Sequence, residues 1–389
     1  MMQKSFCYNI ILLVTVFLLV KEVSAQNVPV NTYSTKTWYG PPAPPFSPVL
    51  NKDHSITFRI KAKNATTVNL LFGEWNIVPQ SLTKDTAGIW SITIKPVQPD
   101  IYSYVFSVDG VQTLDMNNPV TKIGTQIYSS IIEVPGTPAR FDEVQNVPHG
   151  VMEVRRYQST PLKSIRGLNI YLPPQYFSEP KRSFPVLYLR HGGGDNETSW
   201  SQLAGRADVI LENLIAQKKA VPMIIVMTNG LTDGTWAGGS TPEGMKILED
   251  ELLIDVIPLL KKTYRILPDK NSTAIAGLSM GGGQAFVMGL HNLDKFAWIG
   301  EFSAGLLSDK DFNMDALLPK IITPDNLNSK LKLLWIGCGT IDPRYPGHLA
   351  VIDQLKKKGI HYQFHNTPGG HEWKVWRVEL AGFMENLFK

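Results

Sequence analysis

The pentapeptide Gly277-Leu278-Ser279-Met280-Gly281 closes an apolar run, Ala274 to Leu278, and a helix-like segment, Gln284 to Leu290, follows it. That order describes a strand, a sharp turn and a helix with a serine at the apex, the arrangement called a nucleophile elbow. Glycines two residues to either side let strand and helix approach closely, and the strained turn lifts the serine hydroxyl clear of the backbone. Ser279 then sits at a helix N-terminus, where free N–H groups can stabilise a developing oxyanion. A serine hydroxyl is a poor nucleophile near neutral pH. It needs a base that takes its proton and returns it to the leaving group, and an acid that orients that base. Histidine is the best candidate base, and the chain has eight: His54, His149, His191, His291, His348, His361, His365 and His371.

The elements around this turn narrow the choice. Val151 to Gln158 and Gly167 to Leu172 read as an antiparallel pair. Phe184 to Leu189, Met223 to Met227, Thr273 to Leu278, Trp298 to Phe302, Leu331 to Ile336 and Tyr362 to Asn366 read as buried strands. Helical patterns over Ala207 to Lys218, Glu243 to Tyr264, Gln284 to Leu290, His348 to Lys358 and Lys374 to Leu387 alternate with them. Strands interleaved with helices predict a mostly parallel sheet covered on both faces. With the elbow, this predicts an α/β-hydrolase fold over residues 150–389.

In that fold the chain order is nucleophile, acid, histidine, with the histidine on a loop after the last strand. His371, in Pro368-Gly369-Gly370-His371-Glu372-Trp373, holds that place. The acid belongs on the loop after the preceding strand, Gly337-Cys338-Gly339-Thr340-Ile341-Asp342-Pro343, which selects Asp342; Asp309 and Asp311, one strand earlier, are held in reserve. For the oxyanion, the N–H of Met280 supplies one donor and Gly193, in His191-Gly192-Gly193-Gly194-Asp195, the second. These glycines are not read as a phosphate cradle, because no Lys-Ser/Thr follows them. Trp200, Trp236, Trp373 and Trp376 stand on loops or loop edges near the site and are candidates to grip a phenolic ring or a sugar, with core packing as the competing role. His361 and His365 alternate about Gln363, but no carboxylate stands at a convincing spacing for zinc. No metal or cofactor is expected, and Cys338 reads as a packing residue.

Upstream the pattern differs. Short alternating runs, Ser55 to Ile60, Thr67 to Phe72, Trp90 to Ile94, Tyr102 to Val108 and Tyr128 to Glu133, predict a small β-sandwich over residues 49–136, and residues 137–149 read as a linker. Residues 26–48 are Pro-rich and extended. Residues 1–25, with Lys4, the apolar run Ile10 to Val20 and Val23-Ser24-Ala25, have the form of a signal peptide, so the chain is expected to be exported, to a periplasm or beyond the cell, with no membrane span after cleavage. Removal of this leader leaves Cys338 alone and no disulfide to form. A hydrophobic content of 43% is that of a globular protein, and 38 basic against 34 acidic residues, without a basic block, argue against nucleic acid as a partner.

Two resemblances follow from these motifs. Gly88-Ile89-Trp90 with Tyr102-Ser103-Tyr104-Val105-Phe106-Ser107-Val108-Asp109-Gly110 resembles the early-set immunoglobulin-like module that precedes catalytic domains in polysaccharide-active enzymes. The segment from Val147 resembles carbohydrate esterase family one, the feruloyl and acetylxylan esterases, with esterase D, enterochelin esterase and the mycolyltransferases as wider relatives. The resemblance is carried by Val147-Pro148-His149-Gly150, Leu172-Pro173-Pro174, Pro185 to Gly194 with Trp200, the Ser279 elbow, Gly337 to Asp342 and Gly369-Gly370-His371. Arg190 and Ile341 depart from it, outside the expected triad. It implies Ser279 as nucleophile, His371 as base and Asp342 as acid, acting on feruloylated or acetylated plant xylan. The expected activity is feruloyl ester hydrolysis. Acetylxylan deacetylation, siderophore lactone hydrolysis and non-catalytic carbohydrate binding are the alternatives.

Overall fold

The computed structural model describes residues 46–308, 312–314 and 324–389. The expected signal peptide, most of the Pro-rich lead-in and the reserve acids Asp309 and Asp311 lie outside the described residues.

Ten strands come first: β1 (Val49–Leu50), β2 (Ile56–Lys61), β3 (Val68–Phe72), β4 (Gln80–Ser81), β5 (Thr83–Lys84), β6 (Ile89–Ile94), β7 (Asp100–Val108), β8 (Val111–Thr113), β9 (Thr121–Ile123) and β10 (Ile127–Val134). They build two antiparallel sheets, in the orders β1-β2-β6-β5 and β4-β3-β7-β10-β9, with β8 hairpinned onto β7. Period-two alternation turns Ile56 and Phe58 of one sheet, and Leu70, Tyr104 and Phe106 of the other, into a shared core. Phe58 meets Tyr104 edge-on across it at 4.7 Å. The five longer strands stand within two residues of their expected ends. The short ones carry too few residues to show a period.

Eight further strands form a second body of sheet: β11 (Val151–Ser159), β12 (Ser164–Leu172), β13 (Val186–Arg190), β14 (Ile224–Thr228), β15 (Thr273–Leu278), β16 (Trp298–Phe302), β17 (Leu333–Gly339) and β18 (Gln363–Thr367). Their order is β11-β12-β14-β13-β15-β16-β17-β18, with the first two antiparallel and β13 to β18 mutually parallel. Every residue of β13, β14, β16 and β17 is buried, as a sheet with helices on both faces requires. The expected helix Glu243 to Tyr264 is broken: α-helical over Pro242–Glu251, it widens to a π turn at Leu252–Val256 and resumes at Ile257–Thr263. Pro258 is the cause, because its nitrogen has no hydrogen to donate to the preceding turn.

Residues 135–150, between the two bodies of sheet, are pinned rather than free. Arg377, buried in the C-terminal helix Trp373–Asn386, donates to Asp142 at 2.7 Å, to Asp100 of β7 at 2.6 Å and to the Ala204 carbonyl at 2.7 Å. Arg206 forks onto Glu133 of β10, both bonds at 2.6 Å. Pro45–Lys389 is accordingly one compact unit. Arg377→Met removes the cation that joins Asp100 to Asp142, leaving Arg140 on Asp142 and Lys374 beside Asp100, and is expected to cost about 1.5–3 kcal/mol, read from denaturant or thermal unfolding.

Parallel pairing also sets where loops emerge. In the ladder Arg190 pairs with Gly277, Phe302 with Gly337 and Gly339 with Thr367, so the loops after β13, β15, β17 and β18 leave from one edge of the sheet.

Candidate active site

Ser279 begins the helix Ser279–His291 directly from β15, with φ +51, a left-handed conformation rare for a residue with a side chain. Space explains the flanking glycines. A Cβ on Gly277 would stand 2.3 Å from the Gly281 carbonyl oxygen, and one on Gly281 2.3 Å from that of His191. The helix therefore begins five residues earlier than the expected Gln284, taking the glycines into its first turn.

The loops after β17 and β18 bring two more of the expected residues to the serine. His371 Nε2 lies 3.0 Å from Ser279 Oγ, and His371 Nδ1 lies 2.7 Å from Asp342 Oδ2. The other Asp342 oxygen accepts the Arg344 N–H at 2.9 Å, so the carboxylate is held from both sides. This is the relay that serine acyl transfer requires: carboxylate, imidazole, hydroxyl.

Electrostatics sets the resting charge of each group. Burial alone would raise the Asp342 carboxyl; the His371 hydrogen bond and charge, with the Arg344 N–H, outweigh it and hold the group below the ordinary carboxylate range. Burial pushes the His371 imidazole down, against the upward pull of Asp342, and the Arg344 charge adds to the depression. The guanidinium is close: Arg344 Nη1 lies 2.7 Å from His371 Nδ1 and also contacts Nε2. The imidazole thus stays neutral, ready to accept a proton, to a lower pH than an ordinary histidine. Arg344→Met removes a charge that disfavours imidazolium, so the His371 pKa rises and the acid limb of the kcat/KM profile moves to higher pH. A pH profile of the two proteins checks this sign.

Met280 is the second residue of its helix, so its N–H is one of the first-turn donors with no intrahelical acceptor. Gly193 lies on the loop after β13, and among the described residues no backbone acceptor takes its N–H. A Cβ on neighbouring Gly192 would come 3.4 Å from Ser279 Cβ, and one on Gly193 2.8 Å from the Trp236 ring, so the loop is layered between serine and tryptophan. Buried His191 braces it: Nδ1–H donates to the Gly192 carbonyl, and Nε2 accepts the Gly230 N–H, each at 2.8 Å. Burial drives the His191 pKa down to about 3, which keeps one ring nitrogen an acceptor. Beneath lies Gln284, which accepts from Arg190 Nε at 2.7 Å and donates to Gly230 and Gly239 carbonyls. Arg190, which departs from the esterase resemblance, thereby ties β13 to the loop that carries Trp236.

Two cavities open beside the relay. The smaller, about 260 Å³, is lined by Ser279, Met280, Gln284, Met245, Leu306 and Arg344, with Trp236 at its margin. The larger, about 490 Å³, is bordered by Gly193, His371, Trp236, Trp373 and Trp376, and on its far side by sandwich residues. The four tryptophans therefore differ. Trp236 is 59% exposed and borders both cavities. Trp373 and Trp376 are mostly buried and show an edge to the larger one, with the Trp376 ring edge-on to His371 at 4.8 Å. Trp200, expected to touch substrate, does not reach either cavity: it is 1% exposed, its indole N–H bonds the Arg190 carbonyl at 3.0 Å, and its ring packs on Trp373.

Residues the sequence did not single out complete the site. Arg344 lies two positions beyond Asp342, at the start of the helix Tyr345–Lys357, and His348 in that helix bonds the Arg344 carbonyl at 2.8 Å. Buried Glu301 faces the other nitrogen of His348 at 3.3 Å; burial disfavours imidazolium, but the charge and hydrogen bond of Glu301 together with the Cys338 thiol outweigh it, so the His348 pKa is raised. The aspartate-proline-arginine run was the available sign for Arg344.

Comparison with known proteins agrees with this architecture. Residues 159–324 match the family described as putative esterase. The chain is 31% identical over 355 residues to an endo-1,4-beta-xylanase/feruloyl esterase of Xylanibacter ruminicola, covering 88% of this chain and 46% of that protein. It is 25% identical over 275 residues to an esterase of Mycobacterium tuberculosis, covering 60% of this chain and 58% of the other. The chain thus spans about half the length of these relatives. Among solved structures, a ferulic acid esterase of Anaeromyces mucronatus aligns at 22% identity over 63% of this chain and 93% of its own, with a TM-score of 0.54. The enterobactin esterase of Shigella flexneri aligns at 19% identity over 86% of this chain and 92% of its own, with a TM-score of 0.66, a likeness of fold. The fold and the matched segment agree: residues 159–324 carry the match to the putative esterase family, and the chain has an α/β-hydrolase fold.

Proposed function

We propose that the chain is an exported serine carboxylesterase that removes feruloyl or related hydroxycinnamoyl groups from plant arabinoxylan. The observation that carries this reading is the hydrogen-bonded series Ser279, His371, Asp342 at the mouth of a cavity large enough for an aromatic acyl group. Ser279 Oγ attacks the ester carbonyl carbon while His371 Nε2 takes its proton. The oxyanion is held by the N–H groups of Gly193 and Met280. Collapse breaks the bond to the alkoxy oxygen, which leaves with the proton from His371. Water, deprotonated by the same nitrogen, then releases the acyl group as a carboxylic acid and restores Ser279.

Size favours a feruloyl over an acetyl group. A water needs only about 10–15 Å³ of such space, and the 260 Å³ beside Ser279 is far more than a two-carbon acyl group fills. Arg344 and Ser240 add polar groups to a wall that also carries Met245 and Leu306, a mixture suited to a hydroxylated ring. A siderophore lactone would call for a basic cluster. Arg344 and Lys122 are the cations that line the two cavities among the described residues, and Lys122 is paired with Asp195. The feruloyl esterase named among the relatives supports the same choice. Export rests on the leader-like residues 1–25.

The test is a parallel assay on methyl ferulate, acetylated xylan and a catecholate lactone. The expected result is a kcat/KM for methyl ferulate well above the other two. Preference for acetylated xylan or for the lactone would replace this reading with the corresponding alternative.

A further inference from the structure

We propose that the β-sandwich forms one wall of the site for the leaving alcohol, and that this alcohol is a saccharide. The inference rests on the reaction proposed above and adds where each half of the ester lies. His371 must hand its proton to the departing oxygen, so the alcohol leaves on the imidazole side of the serine. The larger cavity is the one that His371 borders, and the smaller one, which includes Ser279 and Met280, is left for the acyl group.

The far wall of the larger cavity belongs to the sandwich: Ile77 from the segment between β3 and β4, Gln112 from β8, and Tyr128 from β10. At about 490 Å³ it is within the usual range for a small-molecule site, and Trp236 and Tyr128 contribute aromatic surface of the kind that packs against the apolar C–H groups of a sugar. The Gln112 amide and the Lys122–Asp195 pair offer donors and acceptors for hydroxyls.

This wall is registered to the catalytic loops by hydrogen bonds. The Thr125 N–H and the Tyr128 hydroxyl both donate to the carbonyl of Gly194, next to the expected oxyanion donor, at 2.7 and 2.9 Å. Glu74 accepts the Trp373 N–H at 2.9 Å, and Trp75 packs so closely on Gly370, next to His371, that a Cβ there would stand 2.6 Å from its ring. A wall fixed at both ends needs no ordering of its own when a sugar binds. The sandwich is thereby a specificity element of the esterase.

Ile77→Ala and Gln112→Ala, both at exposed positions, test this on the full chain. Two readouts are compared with wild type: equilibrium binding of an unesterified arabinoxylo-oligosaccharide, and the ratio of kcat/KM for a feruloylated arabinoxylo-oligosaccharide to that for methyl ferulate. The expected result is a five- to tenfold weaker dissociation constant and a similar fall in the ratio, seated in KM. Oligosaccharide binding that is absent in wild type or equal in the variants overturns the proposal, as does a ratio that does not move. A wild-type chain inert on methyl ferulate contradicts the esterase reaction instead, and the binding comparison still decides the role of the wall.

Discussion

Ser279→Ala is expected to lower kcat for methyl ferulate by on the order of 10⁵- to 10⁶-fold, with the residual rate coming from binding and oxyanion contacts. The size of the loss follows from chemistry. No other hydroxyl or thiol stands at His371 Nε2 among the described residues, and Cys338 is buried, with its thiol pKa raised by that burial. The change removes one oxygen whose side-chain bond is to His371, so the fold and its unfolding midpoint are expected to remain. Product release followed under excess enzyme measures the residual rate. A loss of less than tenfold would place the nucleophile elsewhere.

Asp342→Asn is expected to lower kcat by about 10⁴-fold while KM changes little. If the amide NH₂ faces the ring it donates to Nδ1, which drives the imidazole proton to Nε2, where it blocks acceptance from Ser279. If the amide oxygen faces the ring, the tautomer is kept but the charge that stabilises imidazolium is lost. The pH dependence separates this role from that of Arg344. Asp342 holds the His371 pKa up and Arg344 holds it down, so Asp342→Asn moves the acid limb to lower pH and Arg344→Met moves it to higher pH. Limbs that shift in the same direction would contradict this assignment of charges.

The parts of the site readable from the sequence were those fixed by topology. The elbow is visible because the close approach at Gly277 and Gly281 forbids side chains, and Asp342 and His371 follow from their places after consecutive parallel strands. Arg344 is one of 38 Lys and Arg residues, and only the turn into its helix aims it at the imidazole. Trp200 was misread because a loop tryptophan shows the same pattern whether its ring folds inward or outward; here the Arg190 carbonyl draws the indole inward. The sandwich wall has no local signature at all. It depends on pairs such as Glu74 and Trp373, 299 positions apart, and no periodicity reports a contact at that range. The π turn at Leu252–Val256, by contrast, has a readable sign in Pro258.

The most direct test of the central claim is to treat the protein with a phosphonate ester that mimics the tetrahedral oxyanion and to locate the adduct by peptide mass spectrometry. The account predicts one equivalent of label, on the peptide bearing Ser279, formed in step with loss of activity and lost in Ser279→Ala. Label on another residue, or full inactivation with Ser279 unmodified, would contradict it.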